Sequence, residues 1–284
     1  MEVGLGAEAE AIRLFLLLGR LLSFSEAEIY LLIAVFTRVG AVVALLPGFG
    51  EQMLPVRVRL GAALAFAAII WPLLTPTLSP ADAVGGLSPI GNSAAPPFAL
   101  GRLLLAEAAA GLTLGLAIRL TVMALQFAAS IAAQATSVLQ IFGSGVTPDP
   151  MPAIGNLLTI AGIALVMAMG LHLKAIGAII SSYDVLPFGV FPVAGDFASW
   201  GVSRASSAFA LAFSLAAPFL IAGLVYNVAI GAINRAMPQL MVAFVGAPAI
   251  TAGAMLLLLL AGPVMLVHWA EMLDQTLANP FGQP

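Results

Sequence analysis

Six apolar stretches, each close to the length of a membrane crossing, constrain this chain more than any other feature. They cover residues 29–46, 60–78, 103 to beyond 125, 154–173, 208–233 and 241–268. A helix needs about 20 apolar residues to cross a hydrocarbon layer of ~30 Å. The stretches lack the period-two alternation of membrane barrel strands and are too long to be such strands. Composition agrees, because only 8% of the 284 residues are charged and 62% are apolar. A soluble domain carries roughly 25% charged residues, and this chain has too few to coat a polar surface. The reading is an all-α membrane protein of about six hydrophobic helical segments arranged as hairpins. Pro72, Pro218, Pro248 and Pro263 fall inside these segments. Membrane helices tolerate such prolines where neighbouring helices and hydroxyl groups satisfy the freed carbonyls. Breaker-rich loops are expected at 79–97, 143–152 and 187–192.

The third stretch is anomalous. Residues 103–142 read as nearly continuous helix without a proline, which at 1.5 Å per residue is about 60 Å, twice the membrane. Its second half combines small residues with Gln126, Ser130, Gln134, Thr136, Ser137 and Gln140. Lipid does not suit these amides; a protein interface or a wet channel does. Gly111 and Gly115 form a small-xxx-small pair, as do Ala128 with Ala132 and Ala129 with Ala133, a spacing that lets helix backbones approach closely.

Charges inside the apolar segments are costly and mark functional or pairing positions. Arg38 sits in the middle of the first stretch, and Glu107 and Arg119 in the third. Two readings stand: Glu107 as a proton or cation site, or charges paired with a neighbouring helix or subunit. No second acid joins Glu107 in another span, which favours pairing. Arg57, Arg59 and Arg235 follow the first and fifth stretches. With six alternating spans they fall on one side, and positive-inside reasoning puts both termini outside the cytoplasm. Lys174 and Arg204 fall on the other side and oppose that vote. Residues 1–27 read as a retained amphipathic extension, because Glu2, Glu8 and Glu10 precede the first base and a signal peptide starts positive.

Several functions are disfavoured. The net charge of −3 and the lack of any basic run argue against nucleic acid binding. Cysteine is absent. His172 and His268 lie on separate segments without acidic neighbours, so no metal or other cofactor is expected. Catalytic serine, P-loop and dinucleotide patterns are missing, and the chain does not read as an enzyme. After the long helix, Gln140-Ile141-Phe142-Gly143-Ser144-Gly145 is an apolar tip followed by flexible glycines. It is either an ordinary loop or a hydrophobic constriction closing a wet path.

Several segments together resemble the FliR family of flagellar biosynthetic proteins. They are Phe36-Thr37-Arg38-Val39-Gly40, Pro47, and Pro55-Val56-Arg57-Val58-Arg59-Leu60-Gly61; then Gly170-Leu171-His172 and Ser182-Tyr183-Asp184-Val185-Leu186-Pro187-Phe188-Gly189; then Asn227-Val228-Ala229-Ile230-Gly231, Asn234-Arg235-Ala236-Met237-Pro238-Gln239-Leu240 and Val245-Gly246-Ala247-Pro248. The likeness covers about residues 28–270. It implies a subunit of the type III export gate in the bacterial inner membrane, at the flagellar basal body. It also implies FliP and FliQ as partners, further export components as contacts, and unfolded proteins as substrates. Residues 28–206 would form a FliP-like part and 207–284 a FliQ-like hairpin with a C-terminal tail. The loop at about 136–151 would plug the channel through Val138, Leu139, Ile141, Phe142, Gly143 and Gly145. Here the chain departs from the family pattern with Gly143-Ser144-Gly145 and Thr147-Pro148-Asp149-Pro150, and in the middle with Gly170-Leu171-His172 for Asn-Gly-His. Arg235 and Gln239 would lie in a turn suited to other export components, and Arg57 and Arg59 would suit that role or lipid phosphates. The main rival is a secondary transporter of a small solute, which requires paired broken helices around a polar midplane site.

Overall fold

The computed structural model describes residues 26–50, 54–74, 97–137, 153–237 and 242–282, and every regular element among them is an α-helix. The helices are α1 (Glu26–Leu45), α2 (Val56–Leu74), α3 (Pro97–Ser137), α4 (Ala153–Ala168), α5 (Leu171–Val185), α6 (Ala194–Ala236) and α7 (Val242–Ala278). Five of them are long and apolar enough to cross a membrane, and α4 with α5 makes a sixth candidate bent by 70°. The break in the expected fourth span comes from Gly170, whose φ of 78° lies in the left-handed region that glycine adopts without a Cβ penalty.

The expected lengths need correction in two further places. The third segment is long as expected, at 41 residues, and begins at Pro97, a residue suited to the first helical turn. However, α6 has 43 residues and α7 has 37, so the third segment is not the exception. Hydropathy missed residues 194–207 because Asp196, Arg204 and several serines lower it. It missed 269–278 because of Glu271, Asp274 and Gln275. In the folded chain these ends fasten to each other. Arg204 Nη2 donates to the carbonyls of Asn279 (3.1 Å), Pro280 (3.0 Å) and Gly282 (2.6 Å). Trp200 Nε1 donates to the Pro280 carbonyl at 3.3 Å. These carbonyls lie just past the end of α7 at Ala278, and a cation near a helix C-terminus is favourably placed in its dipole. Lys174 pairs with Asp274 at 2.5 Å. The two bases that opposed the orientation vote therefore have internal partners.

Helix α3 is the hub, packing against α1, α4, α5, α6 and α7. Its register is set by close contacts. Gly111 lies against the Arg38 carbonyl and Ala41, and Gly115 against Leu45, so α1 and α3 run parallel. The stacked rings of Phe127 and Phe209 and the approach of Gly223 to Ala135 set α6 parallel to α3. Gly155 faces Ala129, and Gly162 faces Leu125 and Trp269, so α4 runs the other way. Trp269 is fully buried and donates its Nε1 to the Thr121 carbonyl at 2.8 Å.

This register divides the bundle into two tiers. Leu45, the last residue of α1, meets α3 at Gly115. From there α3 continues for 22 residues to Ser137, about 33 Å beyond the hairpin's helix. Arg59 donates to the Phe49 carbonyl at 3.0 Å, near where the tiers meet. Arg235 lies beyond the point where Gly223 meets Ala135. Helix rise along α3 and then α6 puts Arg235 roughly 48 Å from the level of Leu45, so Arg57, Arg59 and Arg235 form no single basic layer.

A Cβ at Gly111 would collide with the Arg38 carbonyl and come within 2.8 Å of Ala41 Cβ, whereas one at Gly177 would meet nothing within 4 Å. Overpacking of this kind typically costs ~1–3 kcal/mol. Gly111→Ala is therefore expected to lower the thermal midpoint of the detergent-purified chain. Gly177→Ala is expected to be neutral or to raise stability by up to about 1 kcal/mol. Equal midpoints for the two variants would show that the α1–α3 crossing does not depend on the glycine.

Candidate functional site

A buried ionic node joins three segments far apart in the chain. Arg38 and Glu107 are both fully buried. The guanidinium donates Nε to Glu107 Oε2 at 2.8 Å and Nη2 to Oε1 at 3.1 Å, a two-pronged pair. The remaining donors reach α5 and its end: Nη1 to Ser182 Oγ at 3.2 Å, and Nη2 to the Leu186 carbonyl at 3.1 Å. The guanidinium carbon also sits 3.7 Å from the centre of the Tyr183 ring, within range of a cation–π contact. The carboxylate is equally well supplied. It accepts from the Gly189 backbone N–H at 2.9 Å and from the Tyr183 hydroxyl at 3.4 Å.

The local sequence explains each position. Gly189 turns the backbone at φ 71°, which aims its N–H at the carboxylate. A Cβ there would press to 3.0 Å from Leu103 on α3. Leu186 caps α5, leaving a carbonyl that the helix itself does not use. With all these partners the node holds a satisfied ion pair, and its geometry serves the register of α1, α3 and α5. Two of the segments singled out by resemblance, 36–40 and 182–189, therefore meet in space through Arg38, Ser182, Tyr183, Leu186 and Gly189.

The other expected site residues fall as follows. Gly111 and Gly115 lie at the α1–α3 crossing. Arg119 is half-buried on α3 and stands apart from the node, so the twelve-residue spacing from Glu107 does not bring these two together. Arg57 and Arg235 are exposed and Arg59 is half-buried. Val138, Leu139, Ile141, Phe142, Gly143, Gly145 and Gln239 lie outside the described residues. Among the described residues no cluster of three or more His, Asp or Glu is arranged to hold a metal ion. Sequence reasoning missed Gly162, tight against the Leu125 and Trp269 side chains, and Gly223, tight against the Ala135 carbonyl, because neither stands in a small-xxx-small pair with another glycine. It also missed Trp269 and the Arg204 clamp, which no spacing announces.

The family model described as bacterial export proteins, family 1, matches residues 29–276, from the start of α1 nearly to the end of α7. Flagellar biosynthetic protein FliR of Caulobacter vibrioides is 33% identical over 254 residues, covering 87% of this chain and 96% of that protein. The proteins of the same name from Pectobacterium carotovorum and Escherichia coli are 28% and 27% identical. Those matches cover 79% and 74% of this chain, and 82% and 76% of those proteins.

Removing one member of a buried pair leaves the other uncompensated, at a cost of about 3–5 kcal/mol. Glu107→Gln and Arg38→Met are each expected to destabilise the chain by that order. The double variant Arg38→Met/Glu107→Leu is expected to lose less than the sum of the single changes. A double-mutant cycle on thermal midpoints measures this, and strict additivity would refute the coupling.

Proposed function

The chain belongs to the bacterial export protein family that includes FliR, and is a multi-pass membrane component of the flagellar protein export apparatus; on that premise we propose that it is a structural subunit of the export gate. In this reading it assembles with FliP and FliQ around a channel for unfolded export substrates, and residues 136–151 form an apolar plug in that channel. Residues 28–206 are its FliP-like part and 207–284 its FliQ-like hairpin and tail.

The observation that carries the proposal is helix length set against exposed apolar surface. Helices of about 60 Å fit a ~30 Å layer only at a tilt near 60°, beyond the ~0–40° range of membrane helices. Yet large apolar side chains of α6 stay uncovered from Val202 (72% exposed) to Ile233 (44% exposed), over about 46 Å, with Asn227 and two serines among them. Lipid covers at most part of that face, and water is a poor solvent for the rest. Partner helices of matching length are the remaining cover, as a multi-subunit gate supplies them. A secondary transporter calls for paired broken helices, and among the described residues there is one broken pair.

The plug mechanism follows from the same reading. Val138, Leu139, Ile141 and Phe142, with neighbouring methionines, keep ions from leaking; glycines 143 and 145 let the loop swing aside for an arriving chain. Energy comes from elsewhere in the apparatus, and the polar turn at Arg235 and Gln239 is a contact for other export components.

Co-purification from native membranes followed by native mass spectrometry tests the assembly. A large heteromeric complex containing this chain is expected, and a partner-free monomer or homodimer would overturn the gate reading. Within an assembled complex, deletion of residues 141–145 is expected to raise ion leak without loss of subunits. An unchanged leak would reject the plug.

A further inference from the structure

We propose that Gln126, Ser130 and Gln134 on α3 form a contact track for the backbone of an extended polypeptide, a proposal that rests on the export-channel reading above. The three positions recur every four residues and so share one face of the helix. Gln126 and Ser130 are half-buried and Gln134 is exposed. Between them Leu125, Ala128, Ala129, Ala132 and Ala133 are buried, so the polar stripe is the side of α3 that packing leaves open. It lies wholly below Gly115, in the tier that α1 does not reach.

The open face of α6 at comparable depth carries Phe209, Phe213 and Ile221, suited to lipid or a partner helix. The open face of α3 is chemically different. The Gln126 side-chain amide makes no hydrogen bond among the described residues. The Ser130 hydroxyl gives its proton to the Gln126 carbonyl at 2.9 Å, which leaves its oxygen as an outward acceptor. Amides open like that of Gln126 are poorly served by hydrocarbon. They both donate and accept, as does each peptide group of a passing chain.

Spacing and strength fit the same occupant. Four helical residues advance about 6 Å, and two residues of an extended chain advance about 6.7 Å. Successive polar groups on α3 thus meet successive peptide groups that point the same way. The side chains are uncharged, so they do not sort substrates by the sign of their charges. Each such bond replaces one to water and is weak enough in net terms to be exchanged as the chain advances, which conduction requires. The track ends at Gln134, two residues before the segment proposed as the plug.

Site-specific photocrosslinking in the intact, membrane-embedded assembly tests the track. A photoreactive residue is installed singly at positions 126, 130, 134, 141 and 224, and export is stalled in turn with two substrates of unrelated sequence, each fused to a tightly folded C-terminal domain. Crosslinks from 126, 130 and 134 to both substrates, and none from 224, are expected. Substrate crosslinks at 141 with none at 126, 130 and 134 would overturn the track and leave the channel reading standing. Crosslinks from the track to a membrane subunit in the loaded assembly would also overturn it. No substrate crosslink at any position, in an assembly that still exports, would overturn the channel reading itself and the track with it.

Discussion

The ion pair between Arg38 and Glu107 is the interaction on which the rest of the architecture depends. Two full charges taken out of water repay their desolvation only with near-ideal geometry and satisfied remaining donors and acceptors. Here the requirement is met by groups from α1, α3, α5 and the α5–α6 turn. A slip of α1 along α3 by one residue would move Arg38 about 1.5 Å and leave the pair badly formed. It would also drive Gly111 off the Arg38 carbonyl. Electrostatics and steric fit therefore fix the same register, and that register sets how far α3 projects past α1.

That projection gives the molecule its two unequal tiers. The upper tier contains the node, the α1–α2 hairpin and the fastened end of α7; its ion pair of Arg38 and Glu107 is fully buried. The lower tier is held by small residues: Gly155 against Ala129, Gly162 against Leu125, and Gly223 against Ala135. Small residues there let the helices approach closely, alongside the bond from Trp269 Nε1 to the Thr121 carbonyl. The lower tier also has open surface of two kinds, apolar on α6 and amide-bearing on α3.

Much of this was legible in the residues, and the failures have physical causes. Hydropathy located α1, α2, α3, α4, α6 and α7 because lipid-compatible runs are unmistakable at this length, and passed over most of α5, where Lys174, the serines and Asp184 lower it. It truncated α6 and α7 because Asp196, Arg204, Glu271 and Asp274 look like helix-ending polarity until their tertiary partners are known. The bend at Gly170 was hidden because a single glycine inside an apolar run has no fixed meaning. Arg38 and Glu107 stood out singly, but their union could not be read from spacing, since 69 residues separate them. The resemblance to FliR marked residues 36–40 and 182–189 as special without saying that they touch.

The sequence distance within the node has a consequence for how such a chain is made. Ribosomes add roughly 5–20 residues each second. Arg38 is therefore made about 3–14 s before Glu107, at the other end of the 69-residue gap. Ser182 follows Arg38 by 144 residues, or about 7–29 s. During that interval a guanidinium waits in the middle of an apolar helix, where an unpaired arginine costs at least ~2.5–3.5 kcal/mol. The first hairpin thus lacks the counter-charge of its arginine until α3 has been made. Biogenesis of this membrane protein is timed by its own sequence, and the closing of one ion pair marks the moment at which α1 becomes a settled membrane helix.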